Sequence, residues 1–138
     1  MGAVVTLTFV LAGAIAARTA GPMAQTPPPP PAKTTLDPIY TAAQAKRGEE
    51  TYDGFCLDCH KRSAYTGEVF KTNWNGRPLS DLYGWVLDKM PKGDPGLLTP
   101  AESAEVVAFI LQLNHAPAGK TALPADAAAL AAILIQIK

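Results

Sequence analysis

The chain has 138 residues, 12 basic and 12 acidic side chains, a formal net charge of zero and 48% apolar residues. That length holds one domain plus leader or linker material, and the even charge balance excludes the basic excess that grips nucleic acid. Of the 13 prolines, five form the single run Pro27–Pro31, so the rest of the chain is not proline-rich.

The opening stretch MGAVVTLTFVLAGAIAARTAGPMAQ contains an apolar run from Ala3 to Ala17. The run is short for a membrane span and has the length of the apolar region of an export signal. No Lys or Arg precedes it, and Ala20 and Ala24 offer small residues for cleavage. Residues 1–24 are therefore expected to be an export signal, which implies a periplasmic location. The alternative is an uncleaved anchor helix, the only form in which a membrane would be a partner. Residues 25–34, around TPPPPPAKTT, read as an extended polyproline spacer that buries nothing. The folded domain is then 35–138, a size that buries roughly two-thirds of its chain surface and has little core to spare.

Within it, LDPIYTAAQAKRGEETYDGFC opens with Asp37 as N-cap and Pro38 at the first helical position, predicting a helix to about Tyr52 that stops before Gly54. His60 to Trp74 shows no periodic pattern and reads as a long irregular connection needing outside support. PLSDLYGWVLDKMP predicts a second helix capped by Ser80, with Leu82, Val86 and Trp85 turned inward, stopped by Pro91. LLTPAESAEVVAFILQLN carries the firmest helix signal. Thr99 caps it, Pro100 comes first, Glu102 completes a capping box, and Val106, Phe109, Ile110 and Leu113 form one apolar stripe. LPADAAALAAILIQIK predicts a terminal helix, although ILIQI alone has strand composition. The fold class expected is all-α, with no internal repeat.

CLDCH at 56–60 gathers both cysteines and one of the two histidines. In an exported chain two cysteines suggest a disulfide, a thioredoxin-like pair wants a βαβ setting, and a zinc site is poorly served by His60 abutting Cys59. Cys-x-x-Cys-His is the attachment sequence for c-type haem. Each thiol can add across one vinyl group, and the following imidazole can coordinate iron. One covalent haem c thus accounts for Cys56, Cys59 and His60 together, and supplies a large apolar body to a small core. The second axial ligand has few candidates. Met1 and Met23 fall in the leader, leaving Met90, whose following Pro91 ends the helix and favours an extended backbone at the methionine. A lone methionine is otherwise core filler. His115, just after the Thr99–Leu113 helix, is the competitor, though a helix C-terminus favours histidine without further purpose.

With these residues in place the chain resembles the class I c-type cytochromes over roughly 37–137. Gly48 and Tyr52 stand eight and four residues before Cys56, where that family places a glycine and an aromatic of its first helix, and Phe109 matches the aromatic of its last core helix. The wording WNGRPLSDLYGWVLDKMPKGDPGLL…LQLNHAPAG…LPAD is similar to bacterial single-haem cytochromes, among them haem domains serving periplasmic dehydrogenases. The resemblance implies three core helices plus a C-terminal helix around one haem, and Fe(III)/Fe(II) exchange as the function. It also implies redox proteins as partners, a dehydrogenase or terminal oxidase among them. Two features depart from the pattern. Lys61 follows the motif, and no proline lies between Cys56 and Arg77 to lend the usual carbonyl to the proximal imidazole. The interval from His60 to Met90 is also short. Trp74 and Arg77 are candidates for contacting haem propionates, against a core tryptophan and a solvated arginine as the plainer readings.

An iron held by two protein ligands leaves no vacant position for substrate, so the chain reads as an electron carrier and not an enzyme; no second catalytic constellation is visible. The alternative is a haem-based small-ligand binder or sensor with a labile sixth ligand. Lys46, Arg47, Lys61, Arg62 and Lys71 interleave with Glu49, Glu50, Asp53, Asp58 and Glu68, so no strong electrostatic steering is expected. If haem completes the core, the Cys56→Ala/Cys59→Ala double variant should lose the cooperative thermal transition of the mature protein in circular dichroism. A native-like melt would contradict this.

Overall fold

In the computed structural model of the chain, residues 33–138 and the first two are described; the expected export signal and most of the proline-rich spacer lie outside the described residues. A short strand β1 (Lys33–Thr34) leads to α1 (Ala42–Phe55), a 3-10 turn (Arg62–Tyr65), α2 (Gly67–Trp74), α3 (Leu79–Lys89), α4 (Pro100–Leu113), α5 (Ala127–Ala131) and β2 (Ile133–Leu134). The fold is all-α, as expected, with one two-residue parallel ladder joining Lys33 to Ile133 and Thr34 to Leu134.

The most extensive contact is between α1 and α4. Gly48 makes it possible, because a Cβ there would overlap the Glu105 carbonyl. One turn further along α1, the Tyr52 ring meets Phe109 at 5.3 Å between centroids. Arg47 pairs with Glu105 across the same crossing. Of the α4 stripe, Val106, Phe109 and Ile110 are buried and Leu113 is half-buried; Val107 and Leu111 are buried beside it. Its N-terminus forms as expected: the Glu102 amide donates to Thr99 Oγ1, and the Glu102 carboxylate accepts from the Thr99 amide at 2.8 Å. Hydrogen bonds from the Thr99 hydroxyl and amide hold the Glu102 carboxyl below the ordinary carboxylate range.

Several boundaries differ from the sequence reading, each for a local reason. The first helix is capped by Thr41, whose hydroxyl accepts from the Gln44 amide at 3.1 Å. Asp37 instead accepts from the Thr34 amide at 2.8 Å, and Tyr40 takes a bridge to Ala118. The helix runs through Gly54 to Phe55, which places the Cys56 amide on the Tyr52 carbonyl at 2.8 Å. The stretch from His60 to Trp74 is not structureless. It holds the 3-10 turn and α2, which buries only Phe70 and therefore shows no periodic stripe. Pro78 rather than Ser80 stands at the α3 N-cap, and the helix begins at Leu79.

At the C-terminus the helix is only five residues long, and Ile133–Leu134 is strand. β-Branched and apolar residues here find hydrogen-bonding partners on both sides. The Thr35 amide donates to the Leu134 carbonyl at 3.0 Å, and the Ile135 amide to the Arg77 carbonyl at 2.9 Å. Thr35 also exchanges side-chain bonds with the Gln136 backbone. The last two residues assigned to the spacer, Lys33 and Thr34, thus form β1 against the end of the chain.

Gly48→Ala should destabilise the mature protein by about 1–3 kcal/mol, the usual cost of forcing an atom into a close-packed crossing. Thermal denaturation checks this; an unchanged melting temperature would mean that the helices separate without strain.

Candidate functional site

The end of α1 delivers the motif. The His60 amide donates to the Cys56 carbonyl at 2.8 Å, folding the five residues into a compact turn. Cys56 is buried and Cys59 exposed; both thiols are free. Burial raises the Cys56 thiol above its ordinary value, with the neighbouring Cys59 adding to the shift. Tyr52, one turn before Cys56, donates its hydroxyl to the His60 carbonyl at 2.7 Å. Arg62 fastens the following turn to α1, reaching both Asp53 oxygens at 2.7 and 2.8 Å and Glu49 at 3.2 Å, with its guanidinium over the Phe109 ring.

Opposite the motif, α3 ends at Met90 with φ −122° and ψ 147°, the extended backbone expected before proline. Cys56, His60 and Met90 line one recess with Tyr52, Tyr65, Leu82, Trp85, Val86, Val106 and Ile110. Two helices wall it, α3 through Leu82 and Val86 and α4 through Val106 and Ile110. Trp85 is turned only part-way inward, 49% exposed at the recess edge. His115 is exposed beyond α4, has φ 59° and does not line the recess. Trp74 and Arg77 are not among its lining residues either. The Arg77 guanidinium lies 4.6 Å from the Trp74 ring centroid and pairs with Asp81 at 2.8 Å, while Trp74 stacks on Phe70. A wider depression around Lys33, Pro38, Ile39 and Ile133 has no thiol, imidazole or thioether in its lining. The chemistry therefore concentrates in the recess.

A family model described as cytochrome c oxidase, cbb3-type, subunit III matches residues 43–110, from the start of α1 well into α4. The matched stretch contains the motif, Met90 and both sides of the α1–α4 crossing. The domain is a class I c-type cytochrome. No curated protein and no solved structure matches the chain.

A cytochrome of this class carries haem c covalently and works by haem-based electron transfer, and Cys56 and Cys59 have the spacing that attachment uses. The donor set suits the group. Cys56, His60 and Met90 bring a thiol, an imidazole and a thioether to an otherwise apolar lining that would cover a macrocycle and keep water from it. The second thiol, Cys59, is exposed and stands outside that lining. The cytochrome's sequence gave no sign of Tyr65 in this site. The only available signal was an aromatic five residues after His60, with no periodicity to fix its direction. No helix among the described residues is long and apolar enough to cross a membrane.

Burial, reinforced by Tyr65, pushes the Tyr52 hydroxyl up to about 12. A raised tyrosine contributes stability that is complete below its unfolded value near 10 and is lost as pH rises through the folded value. Tyr52→Phe should therefore destabilise the mature protein by about 1 kcal/mol at pH 7, the worth of one hydrogen bond. The gap from the native chain should narrow as pH climbs from 10 toward 12. Melting curves of both proteins across that range test it; a gap that stays constant would show that Tyr52 does not titrate there.

Proposed function

We propose that the protein is an exported single-haem electron carrier in which Cys56 and Cys59 hold the cofactor and His60 and Met90 are its axial ligands. The observation that carries this reading is that His60 and Met90, 30 positions apart in sequence, meet with Cys56 on one apolar recess. Bound haem supplies Fe(III)/Fe(II) exchange. The chain's part is to present both ligands from rigid elements, His60 from the turn after α1 and Met90 from the end of α3. A neutral thioether and a dry setting both favour the ferrous form and raise the potential. Trp74 and Arg77 stay candidates for the haem propionates, and Arg77 would exchange its Asp81 partner to reach one.

The apolar leader supports export, and c-type attachment outside the cytoplasm is consistent with it. The matched family is named for an oxidase subunit, which favours a terminal oxidase or its electron donor as partner, whether the cytochrome is freestanding or a subunit. Mixed charges around the motif suit weak, transient docking at the haem edge.

Met90→Ala should lower the midpoint potential by on the order of 0.1 V, a fraction of the roughly 0.8 V span that axial ligation covers. It should also let the reduced protein bind carbon monoxide tightly, where the native protein binds it weakly. Potentiometric titration with carbon monoxide difference spectra makes the measurement. An unchanged potential would remove Met90 from the iron, and tight carbon monoxide binding by the native chain would favour a ligand sensor.

A further inference from the structure

We infer that Tyr65, anchored by Asn114, is the positioning residue for the His60 imidazole; this rests on the reading of His60 as an axial ligand. A metal-bound histidine is normally oriented by a hydrogen bond from its second ring nitrogen to a carbonyl, carboxylate or water. Here no proline carbonyl follows the motif, and the His60 ring makes no hydrogen bond to any described residue. What meets the imidazole is a ring. Tyr65 lies edge-on to it, 5.5 Å between centroids with planes at 70°. That is within the favoured range and geometry of aromatic pairs, and such a contact fixes the plane of both rings.

Tyr65 is itself held from two directions. The Asn114 side chain, at the end of α4, donates to the Tyr65 carbonyl at 2.7 Å and to the Ile110 carbonyl at 2.9 Å. Its Oδ1 accepts from the Gly67 amide at 3.2 Å. One amide thus ties the last turn of α4 to the segment between the 3-10 turn and α2. On the other side the Tyr52 ring meets Tyr65 at 6.2 Å with planes at 89°, while its hydroxyl holds the His60 backbone. Tyr52 locates the His60 main chain and Tyr65 its ring. An edge contact turns the imidazole without adding the basicity that an accepting carbonyl would give. Loss of Tyr65 should therefore change ligand orientation more than donor strength.

The test uses the mature, haem-loaded protein. The ferric proton NMR pattern of haem methyl resonances is read, because its spread follows the plane of the axial imidazole. Tyr65→Leu should reorder or compress that pattern, and Tyr65→Phe, which keeps the ring, should restore the native one. Asn114→Ala should shift the pattern in the same sense as Tyr65→Leu, and it carries the test if the leucine variant fails to mature. A native pattern in Tyr65→Leu, or in Asn114→Ala where only that variant matures, would overturn the proposal. A shift in Tyr65→Phe equal to that in Tyr65→Leu would also overturn it, since the hydroxyl would then be responsible. A His60→Ala variant that matures with the native ferric spectrum would instead overturn the axial reading of His60, and this inference with it, whereas a native ferric spectrum that is not low-spin would remove only Met90 from the iron.

Discussion

The close crossing of α1 over α4 at Gly48 is the constraint on which the rest of the structure depends. With hydrogen in place of a side chain, the α1 backbone reaches the Glu105 carbonyl. The two helices then lock one turn later through Tyr52 and Phe109. Because α1 ends at Phe55, this crossing sets where Cys56 starts and how far His60 can reach. On the other helix the same contact directs Val106 and Ile110 into the recess. Any separation of the pair would move the cofactor's attachment points away from the wall that covers it.

From that frame the remaining elements supply either part of the recess lining or a prop. α3 contributes Leu82 and Val86 as wall and Met90 as the residue at its end. α2 contributes nothing to the lining; with Phe70 buried and the Asn114 amide fixing its start, it holds the loop after the motif in place. Arg62, clasped by Asp53 and Glu49, fastens the same loop to α1. The site is thus apolar where a macrocycle would lie and ionic on its outer side. This separation suits haem-based electron transfer. Phe55 and Leu57 remain exposed beside the motif.

The two ends of the domain are secured independently of the site. β1 pairs with β2, and buried Thr35 exchanges hydrogen bonds with Gln136. Gln44 makes two bonds with the Leu123 backbone, pinning the segment after α4 onto α1. The C-terminal segment therefore packs on its own domain, and its apolar residues Leu130, Ile133 and Ile135 are core.

What the sequence alone determined is the chemistry and the strongest local signals. Cys56, Cys59 and His60 are adjacent, so their joint use is written in their spacing. The α4 capping box and stripe depend on residues within a few positions of one another, and so does the extended backbone that Pro91 imposes on Met90. The tertiary structure decided what depends on distant partners. The start of α1 moved to Thr41 because Asp37 and Tyr40 are engaged elsewhere, Asp37 by the Thr34 amide and Tyr40 by Ala118. The apolar tail became strand because β1 and the Arg77 region offer it hydrogen bonds. Trp74 and Arg77 turned to each other and to Asp81 rather than into the recess. Tyr65 came to rest on His60 through an asparagine 49 positions away. No local pattern encodes such pairings, because a side chain's direction is settled only when the elements around it have packed.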